Sequence, residues 1–432
     1  MSYNDSPHWI DTPEQLTELI NLIGTCERLA IDTEFHGERT YIPRLMLLQL
    51  ATEDQIFLID PLADVDLCAL FTAIVQPGGP LVVGHALHND LEIVYLRGGH
   101  LLPRVFDTQI GAAFLGFGLQ VGLANLVSRV CGERLPKDGQ MADWSRRPLS
   151  DKLCEYAAND VRYLLEVHTK LTDDLNRRER GAWVDEECGR LSDETRYQRK
   201  PELAYKRVSK YRTLKPSGLG VLQAIAAERD LLASELDMVP HFVVSDDILL
   251  TLARSTPTTR AELNGHRRLK HRQVLRNADR WLAAIRRGQE NPLSLPKARP
   301  PTDGTVDAAS TLVMLLVSEL ARQNEMASQL LIKRTVVQIA MQDGFSTREE
   351  LFVALNLVGW RAELVGEPIW LLLNGELRAA CEYRDGSVRV GFEGRDGRFI
   401  EIKPRDHGNN GRRRHRSKRH RVRPNDEASN ND

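Results

Sequence analysis

An acidic pair that directly follows a short apolar run constrains this chain more than any other feature of its sequence. The run is Leu29-Ala30-Ile31, which has the composition of a buried strand, and the pair is Asp32 and Glu34. Because side chains alternate between the two faces of a strand, residues two positions apart point the same way. The sequence therefore predicts a strand end that presents two carboxylates side by side.

A tyrosine and an aspartate farther along the chain have the spacing of neighbours on one face of a helix. Tyr156 and Asp160 lie in the segment 153–165, which is rich in helix-forming residues. At i and i+4 their side chains would lie one turn apart. Asp90, in the segment 84–91, adds a further acidic candidate between the two pairs. The ordered set is typical of a site that holds divalent cations against a phosphodiester.

Carboxylate oxygens suit Mg²⁺ or Mn²⁺, whereas clusters of His and Cys would indicate zinc. Carboxylates that cluster without a cation repel one another, so a shared metal site explains them. In two-metal phosphoryl chemistry the ions lie about 3.5–4 Å apart. Each piece alone has a simpler explanation, because Asp-x-Glu recurs at Asp90–Glu92 and Asp185–Glu187 and acidic residues also form turns and caps. The ordered combination favours the metal site.

Three segments around these residues resemble the exonuclease motifs of the ribonuclease D family, in the tyrosine-containing branch of the DEDD exonucleases. They are Asp32-Thr33-Glu34-Phe35 with residues 40–50, the segment around Asp90, and residues 143–149 leading into 156–161. The resemblance implies that Asp32, Glu34 and Asp160 bind the metal ion in the attacking position. It further implies that Asp32 bridges to a second ion, which Asp90 supports. With Tyr156 orienting the attacking water, the predicted catalytic set is Asp32, Glu34, Asp90, Tyr156 and Asp160, and the predicted cofactors are two Mg²⁺ or Mn²⁺ ions.

The resemblance continues beyond the nuclease motifs. Residues 218–288 resemble an HRDC domain, the helical module that ribonuclease D shares with RecQ helicases, and a weaker similarity to a second such bundle covers about 308–374. The implied fold class is an α/β RNase H-like exonuclease domain, with a mixed sheet flanked by helices, followed by all-α HRDC helical bundles. Closely spaced apolar runs predict an antiparallel start to the sheet and later crossovers. These runs are residues 29–31, 45–50, 56–59 and 81–83.

The predicted organisation divides the chain into seven parts, with changes in composition at the boundaries. They are an exonuclease domain (1–172), a charged helical connector (173–217), an HRDC domain (218–288), a Pro/Gly-rich linker (289–304), a second HRDC-like helical domain (305–380), a small hairpin (381–410) and a basic disordered tail (411–432).

Composition limits the setting in which the chain works. The net charge of −2 gives the whole chain no preference for nucleic acid. The six cysteines have no C-x-x-C spacing, which predicts a reducing, cytoplasmic setting without a zinc site or a disulfide framework. The first residues lack the basic and apolar regions of a secretory signal. No membrane partner is expected, because the most apolar run, 312–317, is far shorter than the ~20 residues of a span.

Two basic clusters are candidate contacts for nucleic acid. One lies in the tail and the other inside the first helical module, and the residues singled out are Arg412, Arg413, Arg414, Arg267, Arg268, Lys270 and Arg272. A basic tail adds salt-sensitive, sequence-independent affinity for phosphates. The simpler alternatives are a solvated tail, a nuclear signal and the solvated face of a helix. The nuclease motifs elsewhere in the chain favour nucleic-acid binding for the tail, whereas a solvated face is the commoner explanation for the internal cluster.

The predicted function is that of a metal-dependent 3′→5′ exoribonuclease that releases nucleoside 5′-monophosphates. The resemblance implies RNA as the partner, in particular transfer RNA precursors and other structured RNA 3′ ends. A DNA exonuclease is the nearest alternative, because the same five residue types serve proofreading domains. The HRDC-like modules favour RNA, and the chain is too short to carry a polymerase. A catalytically silent RNA-binding adaptor is the third alternative, but it predicts a missing acidic residue and none is missing.

Overall fold

The central sheet contains the four apolar runs that predicted strands, together with two short strands that the sequence did not reveal. The computed structural model describes residues 6–136, 142–266, 271–295, 303–384, 387–394 and 399–400. The strands of the sheet are β1 (His8–Ile10), β2 (Arg28–His36), β3 (Arg44–Ala51), β4 (Ile56–Ile59), β5 (Leu81–Gly84) and β6 (Val105–Asp107).

The sheet is antiparallel among β2, β3 and β4 and parallel at β5 and β6, as predicted, whereas the short first strand β1 pairs parallel with β4. Its order is β1-β4-β3-β2-β5-β6. β2 pairs antiparallel with β3, and β3 with β4, whereas β2 pairs parallel with β5, and β5 with β6. β3 and β4 are buried almost throughout, which explains why both are continuous apolar runs. β2, which carries Asp32 and Glu34, is therefore a central strand.

Helices flank this sheet, and two of them pack directly on β2. They are α1 (Pro13–Ile23), α2 (Leu67–Val75), α3 (His88–Gly98), α4 (Thr108–Ala113), α5 (Leu123–Val130), α6 (Asp151–Arg162), α7 (Leu164–Arg177) and α8 (Gly181–Gly189). α6 packs across β2, β3 and β4, and α7 packs against β2 and β5. The Ser150 side chain accepts a hydrogen bond from the Leu153 backbone and so caps the start of α6.

The first helical module has a core of its own, in which Trp281 is fully buried. Its helices are α9 (Pro216–Glu235), α10 (Pro240–Val243), α11 (Asp246–Ser255), α12 (Arg260–Gly265), α13 (Arg272–Arg276) and α14 (Ala278–Glu290). It meets the nuclease part at the loop after β2. There the Tyr41 hydroxyl donates to Asp230 at 2.8 Å, and the Val239 amide donates to the Arg39 carbonyl at 3.3 Å.

The second helical module shares its core with the sheet, which the sequence did not predict. Its helices are α15 (Gly304–Gln323), α16 (Arg334–Asp343), α17 (Arg348–Ala354) and α18 (Glu367–Leu373), with a π-helical turn at Ala362–Gly366. α15 is long and apolar enough to cross a membrane by length and composition alone. However, its Val313, Leu316 and Val317 side chains are fully buried in the core that the module shares with the sheet, as in a core helix. The Trp360 ring also stacks on Trp183 of α8, with 5.3 Å between centroids.

A second, three-stranded sheet follows the helices. It consists of β7 (Arg378–Arg384), β8 (Ser387–Glu393) and β9 (Phe399–Ile400), paired antiparallel in that order. The hairpin predicted within 381–410 corresponds to β8 and β9, and β7 adds a strand that begins before that segment. Phe392 fixes the sheet to the main core, because its side chain is buried there. The tail predicted at 411–432 lies outside the described residues.

Candidate active site

The structure brings together three of the predicted metal ligands. Asp32 and Glu34 of β2 and Asp160 of α6 each offer a carboxylate oxygen, and these oxygens lie within 4.8 Å of one another. The parallel partner β5 pairs with β2 only as far as Ala30, so the acidic half of β2 continues beyond that neighbour. The pairing of β2 with β3 shifts register between Glu34 and Phe35. Such an irregularity is a common means of re-aiming a side chain beside an active site.

Asp90 lies beside this cluster, near the start of α3, and is almost fully buried. The Thr33 hydroxyl donates to its carboxylate at 2.5 Å, which ties α3 to the strand that carries Asp32. The turn before α3 is held by Asp107 at the end of β6. Its carboxylate accepts hydrogen bonds from the Ala86 and Leu87 amides at 3.0 and 2.9 Å. Asp107 and Thr33 therefore support the position of Asp90, and no local pattern in the sequence reveals either role.

Tyr156 lies one turn before Asp160 on α6 and is half-buried. Its ring contacts the indole of Trp144, with 6.1 Å between centroids and a tilt of 39°. Burial, and then the carboxylates of Asp160, Glu34 and Asp32, raise the pKa of the Tyr156 phenol well above its usual range. The hydroxyl therefore keeps its proton at neutral pH and can donate a hydrogen bond.

The carboxylates carry strongly perturbed pKa values. Burial, followed by the Asp160 and Asp90 carboxylates, raises the pKa of Glu34 to about 8. Burial raises the pKa of Asp160 to about 7 and, against a hydrogen bond from Thr33, that of Asp90 to about 6. The pKa of Asp32 is raised well above its ordinary value, first by burial and then by its acidic neighbours.

Within the described ranges, the charge of this acidic cluster is not compensated by a basic side chain. Among the described residues, no Arg, Lys or His forms an ion pair with Asp32, Glu34 or Asp160. The ligand atoms that these side chains offer to a metal are hard carboxylate oxygens, the type preferred by divalent cations such as Mg²⁺. A shared divalent metal ion would both satisfy these oxygens and remove their mutual repulsion. The residues present therefore fit a divalent metal site.

The predicted nucleic-acid contacts are mostly beyond what the structure describes. Arg272 is exposed at the first position of α13. Arg267, Arg268 and Lys270, and the tail residues Arg412, Arg413 and Arg414, lie outside the described residues. RNA contact at all of these positions stays a prediction.

Family models match two parts of the chain. Residues 7–176, which contain the acidic cluster, match the model described as a 3′-5′ exonuclease. Residues 218–285, which form most of the first helical module, match the HRDC domain.

Whole-length relatives and solved structures lead to one family. A ribonuclease D of Jannaschia sp. (strain CCS1) is 34% identical over 385 residues, covering 87% of this chain and 97% of the relative. A ribonuclease D of Sphingobium indicum is 34% identical over 381 residues, covering 86% and 96%. The crystal structure of Escherichia coli RNase D, described as an exoribonuclease involved in structured RNA processing, has a TM-score of 0.71 at 29% identity and covers 87% of this chain and 99% of its own. The catalytic core of RRP6 from Trypanosoma brucei has a TM-score of 0.52 at 26% identity, with coverage of 67% and 81%. The chain therefore belongs to the ribonuclease D family of 3′–5′ exoribonucleases.

Proposed function

We propose that this protein removes nucleotides from the 3′ ends of structured RNAs, with transfer RNA precursors as the main class, and releases nucleoside 5′-monophosphates. We further propose that it works with two Mg²⁺ or Mn²⁺ ions. The observation that carries the proposal is the convergence of Asp32, Glu34 and Asp160 within 4.8 Å, without a compensating basic side chain among the described residues. The role of the E. coli relative in structured RNA processing supports the substrate class.

The acidic residues divide the metal-binding work. Asp32, Glu34 and Asp160 would hold one ion, and Asp32 with Asp90 would hold the other. When bound, such ions supply Lewis-acid activation of water and neutralise charge that develops on the phosphate. Thr33 keeps Asp90 in place through a hydrogen bond to its carboxylate, and Asp107 holds the turn before α3 by accepting from the Ala86 and Leu87 amides.

Tyr156 contributes orientation rather than proton removal. Because burial and the nearby carboxylates raise the pKa of its phenol, the hydroxyl stays protonated and can donate a hydrogen bond to a water or a phosphate oxygen. A protonated phenol cannot act as a general base near neutral pH. We therefore assign Tyr156 the role of aligning the attacking water with the scissile phosphate.

The reducing cytoplasm is the proposed location. All six cysteines are free, which fits that compartment. In a cell without a nucleus, structured RNA precursors are also processed in the cytoplasm.

The direct test compares a 3′-extended transfer RNA with a DNA strand of matching sequence, each labelled at its 5′ end. Stepwise shortening of the RNA in Mg²⁺ or Mn²⁺, stopped by EDTA, is the expected result. Asp32→Asn should lower turnover by about a thousandfold or more, since metal ions supply several kcal/mol of transition-state stabilisation. In EDTA its thermal unfolding should occur at or above the wild-type temperature, because one buried charge of the cluster is removed, and its RNA binding should remain close to that of the wild type.

Two outcomes would refute the proposal. Shortening of the DNA alone would assign the protein to DNA repair or proofreading. Tight, salt-sensitive RNA binding without cleavage of either strand would indicate an adaptor.

A further inference from the structure

Arg147 is the most fully bonded side chain near the candidate active site. Its guanidinium donates to both carboxylate oxygens of Asp60, at 2.6 and 2.7 Å, and to the Met46 carbonyl at 2.6 Å. It also donates to the carbonyls of Trp144 and Arg146, both at 2.8 Å. A guanidinium has five N–H groups, so every donor of Arg147 is used.

The partners of Arg147 belong to the sheet and not to the helix that carries Tyr156. Asp60 directly follows β4, and its side chain is only 8% exposed. Met46 lies on β3, the strand that pairs with β2 beside Glu34. The loop 142–149, which leads into α6, is therefore fastened to the same sheet that carries the metal-binding carboxylates.

Trp144 connects this fastened loop to Tyr156. The indole is 3% exposed and lies in a small apolar cluster with Met46, Leu47, Leu58 and Ala157. Tyr156 packs against the same cluster, and its ring contacts the indole of Trp144. Among the described contacts, no hydrogen bond holds the Tyr156 hydroxyl, so the packing of its ring is what fixes its direction.

We propose that Arg147, locked onto Asp60, is a positioning residue for Tyr156. By holding Trp144 against the phenol ring, it directs the hydroxyl towards the carboxylates of Asp32, Glu34 and Asp160. Arg147 itself does not touch the substrate, and it acts on the rate only through Tyr156. This inference rests on the proposed exonuclease function, in which Tyr156 aligns the attacking water.

Lysine is the informative replacement for Arg147. It keeps the charge and the apolar stem, but it has three donors on a single nitrogen and cannot bind Asp60 in the same two-pronged way. A small displacement of an aligning group can lower a rate by roughly a hundredfold. We therefore expect Arg147→Lys to lower kcat by roughly tenfold to a hundredfold. KM and the Mg²⁺ dependence should change little, because no carboxylate of the metal site is touched.

The decisive measurement is a double-mutant cycle in kcat with Tyr156→Phe. If Arg147 acts through the Tyr156 hydroxyl, Arg147→Lys should have almost no effect once that hydroxyl is removed. It should lower the kcat of the Tyr156→Phe protein by no more than about twofold, which is the usual uncertainty of such a cycle. Arg146→Lys is the matched control, because Arg146 is the preceding residue and its side chain is 83% exposed. It should leave kcat unchanged in both backgrounds.

The proposal would be overturned if Arg147→Lys lowered kcat by the same factor in the wild-type and the Tyr156→Phe proteins. It would also be overturned if Arg147→Lys changed only KM. If Arg147→Lys does not fold, Trp144→Phe replaces it in the cycle, with thermal unfolding measured so that assays stay below the transition. Wild-type protein that fails to shorten RNA would instead refute the proposed function. Wild-type activity with an additive cycle would refute the positioning role alone.

Discussion

Removing one charge from the acidic cluster should stabilise the metal-free protein. Asp160→Asn is the chosen change, because Asn has nearly the shape of Asp and carries no charge. In EDTA at pH 8, the Asp160 carboxylate lies beside those of Asp32 and Glu34, and no described basic residue offsets their combined negative charge. Catalytic sites often store destabilisation of this kind, which ligand binding relieves.

The magnitude follows from the raised pKa values. The pKa of Asp160 rises from 3.8 to about 7, which corresponds to about 4 kcal/mol against the charged form in the fold. Because the carboxylates are partly open to water and share their repulsion, we expect an observed gain of about 1–3 kcal/mol. The sign depends on pH. The folded protein holds these protons more tightly than the unfolded chain, so their contribution to stability is complete below about pH 4 and is lost as the pH rises through about 7–8. The advantage of Asp160→Asn should therefore grow over this window.

The assay is thermal unfolding in EDTA at pH 5.5 and at pH 8, repeated in saturating Mg²⁺. Metal should stabilise the wild type by mass action and should stabilise Asp160→Asn much less. Asp151→Asn is the matched control, because it removes the same charge from an exposed position in the first turn of α6. An Asp160→Asn protein that is no more stable than the wild type in EDTA at pH 8 would refute the reasoning. A gain of equal size at pH 5.5 would do so as well.

Three further changes test contacts away from the metal site. Tyr41→Phe removes the hydrogen bond to the buried Asp230 carboxylate and should weaken the attachment of the HRDC module by about 1–3 kcal/mol, measured as faster tryptic cleavage in the connection 190–215. Arg361→Ala leaves the largely buried Glu187 carboxylate without its main partner and should lower the free energy of unfolding by about 3 kcal/mol in chemical denaturation. Burial lowers the pKa of His168 to about 4, so its contribution to stability is complete above about pH 6.5 and is lost as the pH falls through about 4. As the pH falls through that window, the free energy of unfolding of His168→Gln should decrease by about 3 kcal/mol less than that of the wild type, measured by denaturation at several pH values.

The first two of these changes each have a matched comparison. Tyr383→Phe changes an exposed phenol and should leave the cleavage rate unaltered. Arg322→Ala breaks an ion pair whose arginine is 72% exposed and should cost less than about 1 kcal/mol. Equal effects in either matched pair would contradict the role given to burial. An unchanged acid dependence in His168→Gln would show that other groups control unfolding in that range.

The sequence predicted strands where the chain alone determines them. The segments at 45–50 and 56–59 are apolar runs because β3 and β4 are buried almost throughout. Such a run can be identified as a strand without knowing which strands lie beside it. β1 and β6 are three residues long, and a run that short has no periodicity to read. Their strand conformation comes from pairing with β4 and β5, which is a tertiary effect.

The same distinction separates the predicted part of the site from the rest. Strand and helix periodicity predicts that Asp32 lies beside Glu34 and Tyr156 beside Asp160, because each pair falls on one face of its element. Asp107 acts on a turn about 20 residues earlier, and no spacing rule connects the two. The contact between Arg147 and Asp60 spans 87 residues, so nothing local in the sequence distinguishes Arg147 from the exposed Arg146 beside it.

The two helical modules stand in different physical relations to the nuclease part. The HRDC module has a separate core and meets the loop after β2 mainly through polar contacts such as that of Tyr41 with Asp230. Polar interfaces of this kind permit relative movement of domains. The second module shares one continuous apolar core with the sheet, and Phe114 of the nuclease part packs edge-on against Trp360. Separating these two would expose that core to water, so the nuclease part and the second module form one cooperative unit. The carboxylates of Asp32, Glu34 and Asp160 are thus built into this cooperative unit, whereas the HRDC module is attached next to the loop that follows β2.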